Sequence, residues 1–584
     1  MYFFDESDDF FRSPTGAIRQ ETILKLRLMV QRTAEASVQI VIISDSGAES
    51  IYEMTLKNIK GKYDVFEGEA KFDSPDLYWM YFKIQTQTGY YYVSKSELTQ
   101  DTRNIQSFQI TVFDRHTQTP GWIKGGVIYQ IFTDRYNKGS AEYKLKDGAV
   151  QRDDWGGVPN FVPDEKGLVL NNDFFGGTLK GVIDKLPALL DMGVTCIYLN
   201  PIFEAQSNHK YDTGDYMKID PSFGNEQIFF ELCELAAENG IRIICDGVFN
   251  HAGDNSRYFN RYGNYDSVGA FQSRQSPYYD WFTFNNWNDD YKCWWGIRLL
   301  PSFNTRNEEF VKFITGEGGV IKHWMHKGCA GWRLDVVDEL PDEFLYPLCS
   351  AVKNTDKDAL IIGEVWEDAS NKISYDRRRK YLLGGQLDSV MNYPLKNAII
   401  SFVKDKNVQI LADTMDMIIN NYPKPVIDCL MNILGTHDTM RILTVLGGEA
   451  YPDTKEAMAN YKLSDEQLEQ GRARLKIASA LQFTLPGVPC IYYGDEAGVQ
   501  GGADPFNRVC YPWDSEDEDL KNWYRKLASI RKEYKVFKEG KYKLIFAHDG
   551  IFSFSRGEDE EQIIVSVNIY KNNVEIYSNG QKII

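Results

Sequence analysis
The sequence is poor in the features that staple or anchor a protein by special means. Its 584 residues hold nine cysteines, an odd number, all between Cys196 and Cys510 and none in a CxxC pair. That distribution argues against a disulfide framework and against a zinc site. Cys196 in VTCIYL and Cys245 in IRIICD sit in apolar runs, where the thiol acts as a small buried hydrophobe. No stretch approaches the ~18–20 uninterrupted apolar residues of a membrane span. The opening MYFFDESDD lacks the basic region and apolar core of a secretory signal, so a cytoplasmic location is expected. Basic charge is also short: 65 Lys+Arg against 83 Asp+Glu leave a net −18. Such a field repels nucleic acid and anionic membranes, whereas a neutral substrate meets no barrier.

What is abundant is aromatic surface, 14% of residues, with 35 Tyr, 33 Phe and 12 Trp. Flat rings serve cores first, and sugars or bases second. The hydrophobic share of 43% and charged share of 25% are those of a globular chain. The length exceeds the roughly 250–300 residues at which one core stops growing, so several domains are expected.

Texture divides the chain. Residues 1–120 show short alternating runs, such as ILKLRLMV, ASVQIVII, DLYWMYFKIQ and FQITVFD, separated by turn signals. Period-two patterning at that spacing predicts an antiparallel β-sandwich. Tyr78, Trp79, Tyr90 and Tyr91 are expected in its core rather than in a starch-binding platform. Residues 121–536 alternate short apolar strands with helical stretches. Eight candidate strands begin with GVIYQIF (126–132), VTCIYLNP (194–201) and IRIICDGV (241–248) and end with PCIYYGD (489–495). This pattern predicts a closed (β/α)8 barrel with one insertion after the third strand, at about 252–305; a doubly wound open sheet is the alternative. Residues 537–584 return to β texture and predict a small antiparallel C-terminal domain.

In such a barrel, polar residues at the C-terminal strand ends converge on one site. The third strand ends in Asp246, Asn250 and His251, the fourth in Arg333 and Asp335, the fifth in Glu364, and the seventh in His437 and Asp438. Any one carboxylate there could simply cap the next helix. Three of them beside two histidines and an arginine, with no phosphate loop, suggest chemistry. Metal-assisted hydrolysis is one option, but no HxH or HExxH spacing supports it, and Arg333 shares a strand face with Asp335. Acid/base and nucleophilic attack on a glycosidic bond fits better, with Asp335 and Glu364 on neighbouring strands as the pair. Arg333 is expected to keep Asp335 ionised as nucleophile, and the apolar IIGEVW setting to raise Glu364 as acid.

At these residues the sequence resembles the α-amylase family of retaining α-glucan enzymes. The matching segments, in order, are YDTGDY (211–216), DGVFNH (246–251), GWRLDVVDE (331–339), GEVW (363–366), LGTHDT (434–439) and GVPCIYYGDE (487–496). The resemblance implies Asp335 as nucleophile, Glu364 as acid/base and Asp438 as the third carboxylate. It implies that Tyr211 stacks under the sugar being cleaved, lined by His209, Arg333, His251 and His437, with Asp246 supporting Arg333. Asp504 and Arg508 match positions that grip the next sugar on the non-reducing side, and Trp366 an aromatic on the leaving-group side.

Within that family the likeness is to neopullulanases, cyclomaltodextrinases and maltogenic amylases, through the N-terminal β-domain, Glu339 and the segments YQIFTDRY, LPSFN and GTHDTMR. LPSFN lacks the usual Lys, and VVDE replaces VANE. The implied substrates are maltooligosaccharides, cyclodextrins or pullulan, cut at α-1,4 bonds, with α-1,6 bonds left open. No cofactor is required. A calcium ion is left open: Asn250 matches a calcium-binding Asn, but the loop NKGSAEYKLKDG (137–148) offers few carboxylates. One of Trp294 and Trp295 is expected inside the inserted segment, the other free to stack on glucan. Enzymes of this type often form homodimers, one chain's N-terminal domain roofing the partner's barrel, and the same is expected here. The competing readings are a transglycosylase of the same fold and a glucan-binding protein without catalysis.

Overall fold
The structure, a computed structural model, describes residues 2–32, 36–95, 98–140, 144–165, 167–558 and 561–584. Its backbone falls into two compact units. The first comprises residues 1–119 together with 368–388 and 413–427. The second comprises 120–367, 389–412 and 428–584.

The first unit is built on a β-sandwich. Strand Ile23–Gln31 shows why: Leu24, Leu26, Leu28 and Val30 alternate inward. They meet Val38, Ile40 and Ile42 of Ser37–Ser44, Phe66 of Tyr63–Lys71, and Met80, Phe82 and Ile84 of Asp76–Thr86 in one core. The long strand Glu49–Lys60 pairs first with Ser37–Ser44 and then with Tyr63–Lys71, so it passes from one layer to the other. Tyr78 and Tyr91 pack on this core. Trp79 lies under the Arg378 guanidinium at 5.2 Å, and Tyr90 stays open with the Lys83 ammonium over its ring. Segment 368–388 is tied in by Asn371 donating to Gln109 (2.7 Å) and by the Arg378–Asp45 ion pair (2.7 Å).

The second unit holds a parallel barrel whose strands we number β1 (Ile128–Ile131), β2 (Cys196–Leu199), β3 (Arg242–Gly247), β4 (Gly331–Leu334), β5 (Leu360–Gly363), β6 (Ser389–Val390), β7 (Met431–Ile433) and β8 (Val488–Tyr492). Seven fall within the strands expected from sequence, and β8 begins one residue ahead of the expected PCIYYGD (489–495). Neighbours pair in numerical order, β1 also pairs with β8, and a parallel bridge between Met391 and Met431 closes the ring between β6 and β7. The strands are buried on both faces, as helix-covered parallel strands must be. Ile128, Tyr198, Ile244, Ile362, Met431 and Cys490 fill the interior. None of the nine cysteines is in a disulfide, and eight of them are buried.

Helices cover the barrel. Asp465–Thr484 starts from a capping box formed by Ser464 and Gln467. Residues 178–193, whose sequence reads as one helix, form two short ones, Leu179–Asp184 and Leu186–Asp191, because Pro187 cannot donate within a continuous helix. The segment after β3 packs its own aromatic cluster of Tyr258, Phe259, Trp281, Phe282 and Phe303. The C-terminal five strands, Tyr542–His548 through Gln581–Lys582, form an antiparallel meander.

Candidate active site
Strand register assembles the site. Asp246 on β3 sits directly across from Arg333 on β4. Past the strand ends the ladder continues, Asp335 N–H donating to Gly247 (3.1 Å) and Glu364 N–H to Leu334 (3.0 Å). Each carboxylate is therefore one strand step from the last, above the barrel interior. The fully buried Arg333 guanidinium joins three of them. Its Nη1 donates to Asp246 (2.9 and 3.1 Å) and to Asp335 Oδ1 (2.9 Å). Its Nη2 lies 2.8 Å from Glu364 Oε2, as an ion pair out of line for a hydrogen bond.

Glu364 receives further donors, the Val336 N–H at 2.8 Å and the Trp366 indole N–H at 2.9 Å. Val336, a β-branched residue, lies in the left-handed region (φ 38°), where such side chains are strained. That turn aims its N–H at Glu364. Asp335 does not follow the expectation that the guanidinium would hold it ionised. Burial pushes its carboxyl well above the ordinary range; Arg333 opposes, but Glu364, Asp246 and Asp438 reinforce the shift. One guanidinium shared among three carboxylates leaves excess negative charge, and protonating one member relieves it. The setting of Glu364 is also more polar than IIGEVW implies, because the Val336 N–H and the Arg333 guanidinium reach it from outside that segment and the Trp366 indole N–H turns back onto it.

On the far side of the mouth, His437 and Asp438 follow β7. His437 Nδ1 faces the Gln130 amide N–H (2.9 Å), which assigns the proton to Nε2, toward Tyr211 Oη and Asp438 Oδ2 (3.1 Å). The Tyr211 ring stacks on His437 (5.1 Å, 6°), and its hydroxyl donates to Asp246 (2.8 Å). Tyr198 donates to the same carboxylate (2.6 Å), and Asn200 donates to Tyr211 (3.0 Å). Burial drives His209 down to about 3 and His251 to about 4, and puts His437 well below its usual value. The imidazoles are neutral at physiological pH, which suits an uncharged polyhydroxyl ligand better than an anion. His251 stacks on Trp294 (5.3 Å). Arg508 donates to the His437 carbonyl (3.0 Å), pairs with Asp504 (2.9 Å) and comes within 3.7 Å of Asp438. Trp366, 46% exposed, lies flat on Tyr393 (4.0 Å).

The structure thus brings together the residues expected from sequence. It adds Gln130 inside β1, Tyr198 inside β2 and Asn200 just past β2, whose only sequence signal was a polar group in an apolar run. Asn250 turns its amide nitrogen toward His251 Nδ1 (3.3 Å). Among the described residues no three His, Cys, Asp or Glu side chains form a metal cluster. Residues 141–143 of the loop 137–148 lie outside the described residues.

A (β/α)8 barrel carrying carboxylates at the ends of β3, β4, β5 and β7 around a buried arginine defines the class, a barrel with an enzyme-type cleft at its C-terminal face. The alpha-amylase family profile (alpha amylase, catalytic domain) matches residues 130–539, and the chain belongs to that family. It is 38% identical to an amylopullulanase of Thermoanaerobacter thermohydrosulfuricus over 94% of this chain and 40% of that protein. To a cyclomaltodextrinase of Geobacillus thermopakistaniensis it is 33% identical over 83% of this chain and 75% of that one. The type III pullulan hydrolase from Thermococcus kodakarensis superposes with a TM-score of 0.68 at 28% identity, covering 97% of this chain and 94% of that chain. The chain spans 33–46% of the length of the three amylopullulanases it matches.

Proposed function
We propose that the chain hydrolyses α-glucosidic bonds in short α-glucans with retention of configuration. The observation that carries this is the placement of Asp335 and Glu364 on adjacent strand ends against one guanidinium, with Asp246 and Asp438 beside them. Asp335 attacks the anomeric carbon. Glu364 protonates the leaving oxygen, then takes a proton from water in the second displacement. Asp438 and the neutral imidazoles hold the sugar hydroxyls. The positive charge developing at the anomeric carbon favours ionised Asp335 against the raising effect of burial. The cyclomaltodextrinase and pullulan-hydrolase relatives support maltooligosaccharides, cyclodextrins or pullulan as substrates. Asp335→Asn should cut turnover by at least ~10^3-fold while oligosaccharide binding stays near wild type. Near wild-type activity would refute the assignment. An NMR time course should show the α-anomer first, and initial β-product would exclude two displacements.

A further inference from the structure
The segment after β3 uses Trp294 at the mouth, stacked on His251, and leaves Trp295 open to solvent. Another aromatic group of the same segment serves neither place. Phe259 is fully buried, Phe284 lies parallel to it (5.9 Å, 8°), and Tyr279 lies parallel to Phe284 (5.3 Å, 5°). The three rings stack from the interior outward and end at the half-buried Tyr279. Each ring fixes the tilt of the next, so the last is a flat surface held in place.

Tyr279 and Phe284 border a cavity of about 450 Å³, within the ~300–1,000 Å³ of small-ligand sites. Asp280, Thr283, Asn304 and Asn307 also line it. Asn304 and Asn307 spend their amide oxygens on the N–H groups of Arg306 (3.4 Å) and Phe310 (2.9 Å). Those bonds orient both side chains and leave their NH2 groups without a partner among the described residues. The Tyr279 and Thr283 hydroxyls and the Asp280 carboxylate are unpaired in the same sense. Donors, acceptors and one flat ring suit a neutral polyhydroxyl ligand, whose C–H face stacks while its hydroxyls bond. No Lys or Arg lines the cavity, and Asp280 disfavours an anion. One carboxylate is too few for a hard cation.

The cavity is separate from the catalytic mouth, and residues 301–304 run between the two. On one edge Phe303 N–H donates to the Asn250 carbonyl (2.9 Å) and Ser302 bridges to His251. On the other, Phe303 bridges to Phe282 and Asn304 N–H donates to the Trp281 carbonyl (2.6 Å).

We propose that this cavity is a second saccharide site, which holds a stretch of α-glucan outside the cleft with Tyr279 as its platform. Only the identity of the sugar rests on the α-glucan reading above; the site rests on the ring stack and the unpaired polar wall. A long glucan held at both places is retained by the two together, because the second contact is intramolecular once the first has formed. Maltotriose, spent across the scissile bond, has no length left for it.

The test uses the full chain and glucans of two lengths. Tyr279→Ala should leave kcat/KM for maltotriose within about twofold of wild type. On soluble amylose it should lower kcat/KM about three- to tenfold, the order of one lost ring contact. Tyr279→Phe keeps the flat face and should retain most of the amylose rate. In Asp335→Asn, which holds glucan without turnover, calorimetry with maltotriose should resolve two sites per chain, and adding Tyr279→Ala should leave one. A single site in Asp335→Asn, or a second site that survives Tyr279→Ala, would overturn the proposal. Equal losses on both substrates, or none on either, would do the same. If Tyr279→Ala fails to fold, Asp280→Ala at the exposed carboxylate decides instead: it should weaken the second site about threefold or more, and an unchanged site refutes it. Wild-type protein that cleaves neither glucan refutes the hydrolase reading, while a Tyr279-dependent maltotriose site in it would still stand.

Discussion
Arg333 carries more of the site than any other residue. Its guanidinium has no exposure and reaches Asp246, Asp335 and Glu364. Lysine could not span three carboxylates, because its point charge lacks the planar fork. Glu364 is most directly tested through its leaving groups. Glu364→Gln should lower activity on maltooligosaccharides by ~10^2-fold or more, yet spare activated aryl glycosides, which need little protonation. Equal losses on both would show that Glu364 is not the acid. Asp495, buried beyond β8, tests the electrostatics of the fold instead. Burial raises it to about 7, with Arg441 (3.1 Å) opposing. The unfolded chain ionises this group near pH 4, whereas the folded protein does so only near 7. Its contribution to stability is therefore complete below about pH 4 and is lost as pH rises toward 7. Asp495→Asn cannot ionise, so its Tm relative to wild type should climb between pH 4 and 7 and then level off. A pH-independent difference would refute the shift.

Among the elements, the helix Asp465–Thr484 shows how a buried cation can be structural. Arg531 and Arg556 are buried, and burial lowers them to about 9 and 10. They donate to carbonyls at and just beyond this helix's C-terminus: Arg531 to Phe483 and Gly487 (2.9 Å), and Arg556 to Thr484 (2.9 Å). The helix dipole and unpaired carbonyls favour a cation there. Arg531→Met should cost roughly 1–3 kcal/mol by stranding those carbonyls, measurable as a lower urea midpoint. The eight barrel strands were legible because each is an apolar run ending in a charged or polar residue, as in IRIICDG. The carboxylates were legible for the same reason. The donors around Glu364 were not, since the left-handed turn at Val336 and the Trp366 tether leave no trace in VVDE or GEVW. Nor was the raised Asp335, because its cause is the sum of groups from four strands. The choice between Trp294 and Trp295 also needed backbone geometry, since adjacent identical residues differ only in where the turn points them.

For the whole molecule, we propose a homodimer assembled through the N-terminal domain, which is what the family resemblance implies. Light scattering should report about twice the 67.2 kDa chain mass. A monomer would leave residues 1–120 as a sugar-binding or stabilising module. The ladder that sets Asp335 one step from Gly247 and Glu364 one step from Leu334 has a kinetic consequence. The four carboxylates lie at positions 246, 335, 364 and 438, so their meeting depends on contacts across nearly 200 residues of chain. Loop-closure entropy makes such contacts late events in folding. Helices and single strand pairs can form while the cleft does not yet exist. In refolding, recovery of glucan cleavage should trail recovery of helical signal, and newly made chains should stay inert until β7 and β8 have joined the ring.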